Sequence, residues 1–415
     1  MDSTAPKTPD LTVDVAISGG GFIGGALAVG LARHGVKVAV IDKVDPAATL
    51  DRGFDGRAFA IALSSKYLLE ALDVWRRVTV TEPIRQIRVS DGDSLFFLHY
   101  DHAVLGDDPL GFMVENRVLR AALAAAITEE SARITRLTPA AVTDFSQGPD
   151  RAVLTLADGR TIAANLVIAA DGRTSLLREL SNIPVVGWQY KQMGIVATIG
   201  HERPHTGIAH EHFLPAGPFA ILPLADDNGI HRSSLVWTER VDAAAGYLAL
   251  SEAEFLAEIQ NRVGGFLGEL SLIGPRFSHP LGLQFASRYV DRRLVLAGDA
   301  AHGIHPIAGQ GVNLGYRDVA ALIEIIVDAK RLGLDLAHPN GLERYERWRR
   351  ADNLLMAGAC DVLNRLFSND IAPIRMARDL GLAVVNKMGP VKKVLMRHAM
   401  GTVGDLPRLM RQQAL

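Results

Sequence analysis

Val13-Asp14-Val15-Ala16-Ile17-Ser18-Gly19-Gly20-Gly21-Phe22-Ile23-Gly24-Gly25 opens a unit that continues through Ala26-Leu27-Ala28-Val29-Gly30-Leu31-Ala32-Arg33 and, after Gly35, through Val36-Lys37-Val38-Ala39-Val40-Ile41-Asp42. The first six residues have the length and composition of a buried strand. The run from Ala26 to Arg33 reads as an apolar helix stopped by Gly35, and Val36 to Asp42 as a second strand. Between strand and helix stands Gly19-x-Gly21-x-x-Gly24. In that pattern the first glycine makes a tight turn, the second lets a pyrophosphate touch the backbone, and the third lets helix press on strand. The helix start then offers unpaired N–H groups and a positive dipole end to the phosphates. Asp42 follows Gly19 by 23 residues, where an acid meets a ribose hydroxyl. An acid there favours FAD or NAD over NADP, and this unit alone does not choose between the first two.

The 415 residues are too many for one simple core, so two or three domains are expected. Hydrophobic content of 48% and charged content of 22% are those of an ordinary globular enzyme, and a net charge of −2 gives no electrostatic case for nucleic acid. One cysteine, Cys360, excludes an intrachain disulfide and a cysteine-rich metal site, and reads as a small buried residue. Met1 to Leu11 is polar with no apolar core, so no signal peptide is expected. No stretch approaches the ~20 apolar residues of a membrane span, leaving a soluble or peripheral protein as the expectation.

Along the chain, residues 43–54 read as a loop, and Asp55-Gly56-Arg57 as the opening of a helix from Ala58 to Leu72. By itself Arg57 is a surface arginine. Residues 83–113 alternate as strands around a hairpin turn at Ser90-Asp91-Gly92-Asp93. Asn116 is the expected N-cap of an alanine-rich helix, and Arg117 in its first turn opposes the helix dipole, which asks for an anionic partner. The strand Leu166 to Ala170 ends in Asp171-Gly172, and a later apolar strand ends in Gly298-Asp299. Gly309-Gln310-Gly311 then precedes a helix running through Asp318 to Ala329, a surface of backbone N–H groups suited to an anion or a ring edge. Three strand ends carrying Gly and Asp, at Gly19, Asp171 and Asp299, are where ligands sit in parallel sheets. Ile183 to His279 reads instead as an antiparallel sheet of a second domain, with a helix from Ser251 to Phe266 capped by Ser251 and Glu254. His201, His205, His210 and His212 lack ligand spacing, and no metal is expected. Leu342 to Leu415 is helical and rich in Arg and Lys. These helices pack on the core or, alternatively, present a basic apolar face to a membrane surface or partner.

Taken together these residues resemble the single-component FAD-dependent aromatic hydroxylases with the para-hydroxybenzoate hydroxylase fold. The resemblance covers nearly the whole chain and rests on Gly19-x-Gly21-x-x-Gly24, Asp171-Gly172 with Ser175 and Arg178, and Gly298-Asp299 extended through His302, Pro306, Gly309-Gln310-Gly311 and Asn313. More narrowly the chain is similar to the ubiquinone-biosynthesis hydroxylases of the UbiH family. That likeness lies at Asp55-Gly56-Arg57, Glu115-Asn116-Arg117-Val118-Leu119-Arg120, His302-x-x-His305-Pro306-Ile307-Ala308-Gly309-Gln310-Gly311, and the tail Asp361-x-Leu363-Asn364-Arg365-Leu366-Phe367-Ser368.

The resemblance implies an α/β fold: a Rossmann-like FAD-binding domain, a second domain built on an antiparallel sheet, and a helical C-terminal region. The expected division gives residues 1–75, 114–182 and 285–345 to a discontinuous FAD-binding domain, 76–113 and 183–284 to a substrate domain, and 346–415 to the helical region. It implies that Gly19, Gly21 and Gly24 hold the pyrophosphate and that Asp42 holds the adenosine ribose, although that acid is more often Glu in the family. Arg57 and Arg117 would flank the pyrophosphate and flavin. Asp171 would serve the FAD region and the nicotinamide donor, and Asp299 the ribityl chain. Pro306, Gly309, Gln310, Gly311 and Asn313 would line the ring edge where oxygen reacts. No protein base is assigned.

The implied chemistry is the cofactor's: NAD(P)H reduces FAD, molecular oxygen adds to give a flavin hydroperoxide, and OH passes to an electron-rich phenol. The implied substrate is a polyprenylated phenol of ubiquinone synthesis, with other ubiquinone-biosynthesis proteins as further partners. The implied location is cytoplasmic, with a peripheral contact at the inner face of the cytoplasmic membrane as the open question. A hydroxylase of a small phenolic acid, a prenyl-chain reductase and a non-catalytic prenyl-binding escort are the alternatives.

Overall fold

The computed structural model describes residues 8–46, 48, 55–92, 94, 97–305, 307–369 and 371–415. The strand Leu11–Ser18 pairs in parallel with Thr161–Ala169 on one side and Val38–Ile41 on the other. Thr161–Ala169 in turn carries Leu294–Leu296 in parallel, and Val38–Ile41 carries Ile134–Leu137. Val38–Ile41 and Leu294–Leu296 are continuous apolar runs because both faces are buried. Their carboxyl ends lie side by side: the Ala170 amide donates to the Ser18 carbonyl at 2.8 Å and the Ala297 amide to the Ala169 carbonyl at 2.9 Å. The turns at Gly19, Asp171 and Asp299, far apart in sequence, therefore meet along one edge.

A second sheet of eight strands runs from His302–Gly303 through Leu270–Ala286, Val185–His201, Ile230–Arg240, Gly217–Asp227, Ile208–Leu214 and Gln86–Asp91 to Phe97–Asp101. Its pairs are antiparallel except Ile208–Leu214 with Gln86–Asp91. Strand residues alternate between faces. On one face Ile195, Ala197, Phe219, Leu235 and Trp237 pack against Phe255 and Ile259 of the helix Glu252–Val263, whose Ser251–Glu254 capping box is formed in both directions. The opposite face looks onto a cavity. Because His302–Gly303 is itself the edge strand of this sheet, the Asp299 turn leads directly from one sheet to the other.

The expected helix from Ala58 to Leu72 is corrected. Ala58–Ala62 is a strand paired antiparallel with Gly111–Glu115, and the helix spans only Leu63–Ala71. Tertiary pairing overrides the helix preference of alanine. The Asn313 amide enforces this, donating to the Ala60 carbonyl and accepting from the Ala62 amide, each at 2.9 Å. The expected N-cap at Asn116 is also corrected. Asn116 is already helical, Glu115 occupies the cap position without a side-chain cap bond, and the Asn116 amide donates to Asp55 at 2.6 Å.

The C-terminal region forms helices Pro339–Phe367, Ala372–Lys387 and Gly389–Ala399, after which Leu406, Leu409 and Met410 return to the core of the first sheet. Cys360 is buried, which raises its thiol pKa to about 11. Among the described residues no helix is long and apolar enough to cross a membrane.

Candidate active site

At Gly19 the backbone has φ +101°, and a side chain there would overlap the Ala170 carbonyl. A side chain at Gly24 would overlap the Gly19 carbonyl oxygen. At Gly21, by contrast, nothing lies within 4 Å of where a Cβ would stand, and the backbone opens onto the cavity. The helix Phe22–Arg33 behind it has no side-chain cap and no acid in its first turn, so its amide groups and dipole face the cleft. Asp42 braces the turn: its Oδ2 accepts from the Gly20 amide at 2.6 Å and its Oδ1 from the Val44 amide at 2.8 Å.

Gly298-Asp299 closes the cleft from the third strand. The Asp299 side chain is 53% exposed, lines the cavity and faces Arg173 at 3.4 Å. Beneath it lies a buried ionic cluster. Asp318 accepts from the Gly298 amide at 3.0 Å, from His302 Nε2 at 2.6 Å and from Arg349 Nε at 2.8 Å. Arg349 and Arg317 both bind Asp352, at 2.7 and 2.9 Å. Arg349 and His302 together outweigh burial and hold the Asp318 carboxyl at a pKa of about 2. Sequence reading did not assign Asp318 a role, although an Arg-Asp pair inside an otherwise apolar helix was the available signal.

Arg178 joins the second and third strand ends, donating to the Ala300 carbonyl at 3.0 Å and the Arg173 carbonyl at 2.7 Å. Asp171 is not among the cavity-lining residues; burial raises its carboxyl above its ordinary range, partly offset by the Ser175 hydroxyl, and among the described residues its buried Oδ1 has no partner. Gly309, Gln310, Gly311 and Asn313 line the cavity at the start of the helix Gly311–Arg331. The Asn313 amide is committed to holding the strand Ala58–Ala62, so its contribution to the cleft is positional. Pro306 lies outside the described residues. Arg57 lines the cavity and pairs with Asp55 at 2.9 Å. Arg117 is not among the cavity-lining residues. Its anionic partner is Glu115 at 2.6 Å, which Arg232 also holds at 2.9 Å.

These residues fit FAD. Open glycines at 21, 172 and 311 line the cavity and leave room for a ligand against the backbone, and the helix start suits a pyrophosphate. Gly19, Gly21 and Gly24 would hold the pyrophosphate, Asp299 the ribityl chain, and Gly309 to Gly311 the ring.

The cavity, about 1570 Å³, extends well past the strand ends. Its floor is the free face of the second sheet, where Val89, Glu211, Ala220, Val236 and Val196 follow one another across five strands. Its far end is formed by Leu363, Leu366, Phe367, Leu382, Val385 and Leu395 of the C-terminal helices. Leu363, Leu366 and Leu395 are also exposed, which places an opening there. The arginines that line the cavity each face a carboxylate: Arg57 with Asp55, Arg173 with Asp299, and Arg378 with Asp91 at 2.6 Å.

An FAD binding domain family matches residues 12–353. The chain is 52% identical over 415 residues to the ubiquinone hydroxylase UbiL of Rhodospirillum rubrum, covering 99% of this chain and 95% of that one. It is 38% identical to the 3-demethoxyubiquinol 3-hydroxylase of Escherichia coli K12, covering 94% and 98%. Among solved structures, the p-nitrophenol 4-monooxygenase PnpA of Pseudomonas putida superposes with a TM-score of 0.77 at 19% identity, covering 94% and 98%, which supports the shared fold. The chain belongs to the FAD-binding-domain family of flavin hydroxylases, in the branch that contains the ubiquinone hydroxylases.

Proposed function

We propose that this chain is an FAD-dependent NAD(P)H monooxygenase that hydroxylates a polyprenylated phenol in ubiquinone biosynthesis. The observation that carries the reading is one continuous cavity, polar and glycine-lined at the strand ends, mostly apolar across the sheet, and bordered by apolar helices. A phenol ring would stand near Gly309 to Gly311 with its isoprenoid tail along Phe367, Leu382 and Leu395. A small phenolic acid would want a cation for its carboxylate, and the cavity arginines are already paired. When bound, FAD supplies the redox chemistry, taking electrons from the nicotinamide donor and using them to activate oxygen. The chain's own work is to bind the pyrophosphate at Gly21, hold the ring carbon toward the flavin edge and keep water out with an apolar floor. In this reading residues 1–75, 114–182 and 285–345 bind FAD, 76–113 and 183–284 receive the ring, and 346–415 receive the tail.

The test is NAD(P)H-dependent formation of hydroxylated product from a prenylated phenol by the FAD-loaded protein. Faster coupled turnover of a soluble phenolic acid would overturn the reading. The same surface supports a peripheral membrane contact. Leu380, Val384, Val391 and Val394 are exposed beside exposed Lys387, Lys393 and Arg397, a pattern suited to an anionic lipid surface. Flotation with anionic but not neutral vesicles is the expected result, and absence of flotation with both refutes the contact.

A further inference from the structure

The cavity floor carries a carboxylate that the assignments above leave unused. Glu211 sits in the strand Ile208–Leu214 between Ala209 and Phe213 on the cavity face, while the rings of His210, which also borders the cavity, and His212 stack on each other, His210 packing tilted against Phe266. Its neighbours across the ladder are Val89 and Ala220. Among the described residues no hydrogen bond or ion pair reaches the Glu211 carboxyl, although His279, Tyr100 and Arg378 line the same cavity. Arg378 is held by Asp91, and Arg57, Arg173 and Asp299 are occupied with one another or with Asp55 at the flavin end. An acidic side chain placed on an apolar floor without a partner costs stability, so the arrangement suits a ligand that brings its own donor.

We propose that Glu211 is the catalytic group that accepts the phenol proton of the substrate. This rests on the hydroxylase reading above. The ring O–H donates to the Glu211 carboxylate and fixes which carbon faces the flavin edge. As the new C–O bond forms, the phenol O–H bond breaks, its electrons enter the ring and its proton passes to Glu211. The oxygen atom and the oxidising equivalents come from O2, whose O–O bond breaks; NAD(P)H supplies two electrons, and with a proton from solvent the second oxygen atom leaves as water. When the ring regains aromaticity, the displaced ring proton leaves to water and Glu211 returns its proton to the ring oxygen. Burial raises the Glu211 carboxyl to a pKa of about 7, close to the working range of a general base.

The test uses FAD-loaded protein and a short-chain prenylated phenol, with hydroxylated product measured from pH 6 to 9. Wild-type product formation should rise about tenfold per pH unit below the pKa of the base. Glu211→Gln should lower it about 100-fold or more and flatten that limb, with FAD content unchanged. Glu211→Asp, which keeps the carboxylate, should recover part of the rate and the pH limb. Retention of the wild-type rate and profile by Glu211→Gln overturns the inference, as does loss of the pH limb in neither variant. If wild type itself forms no product, the function proposed above fails instead.

Discussion

The glycine turn offers a substitution whose effects on stability and on binding should point in opposite directions. Gly21 has φ −70° and ψ −159°, an extended conformation open to any residue, and a Cβ there meets nothing within 4 Å. Gly21→Ala therefore adds no strain, and by narrowing the unfolded ensemble it adds about 0.4–1 kcal/mol to the apoprotein. The new methyl group, however, stands where the pyrophosphate must approach the helix start. Losing one hydrogen bond to a charged phosphate costs about 1.5–3 kcal/mol, which is about 10- to 150-fold in FAD affinity. Gly21→Val should cost more, since its side chain is larger. Gly24→Ala should behave oppositely, because its methyl group overlaps the Gly19 carbonyl and the turn must move in the apoprotein. Thermal unfolding of apoprotein and titration with FAD, followed by flavin fluorescence, separate the two. Wild-type FAD affinity in Gly21→Val would refute the cradle, and so would an apoprotein unfolding temperature in Gly21→Ala lowered as far as in Gly24→Ala.

Asp299→Ala should lose FAD with the apoprotein fold kept, and a fully flavinated variant would contradict its assignment to the ribityl chain. Asp318→Asn removes the charge shared by His302 and Arg349 and should destabilise by about 3–5 kcal/mol, read as a lower unfolding midpoint in urea. Because folding lowers the Asp318 pKa to about 2, its contribution is present above the unfolded value of 3.8 and lost as pH falls toward 2. The wild-type advantage over Asp318→Asn should shrink across that window. For Glu211 the sign reverses: folding raises its pKa, so its favourable share is present at low pH and lost as pH rises through 7. Glu211→Gln should then unfold at a higher temperature than wild type at pH 8, and equal temperatures at pH 8 would count against the unpartnered carboxylate.

The parallel sheet was legible because its marks are local: apolar runs, glycines at fixed spacing and acids at three strand ends, Asp42, Asp171 and Asp299. The capping box at Ser251 was legible for the same reason. Ala58–Ala62 was not, because its conformation is set by Gly111–Glu115 and by Asn313, distant in sequence, while its composition locally favours a helix. The spare dipole conflict at Arg117 did foretell an anion, yet the anion is Glu115, two residues away. His210-Glu211-His212 reads as a uniformly polar strand until the sheet decides which face meets the cavity. Asp318 was hidden in a helix whose partners, His302 and Arg349, lie on two other elements.

The placement of the cavity's opening among Leu363, Leu366 and Leu395 constrains traffic. On the proposed function, a molecule with an isoprenoid chain entering by that doorway would go in ring foremost and back out along the same path. Its chain would then keep hold of the doorway throughout the reaction, and the product would be handed over by its far end before its new hydroxyl group is released.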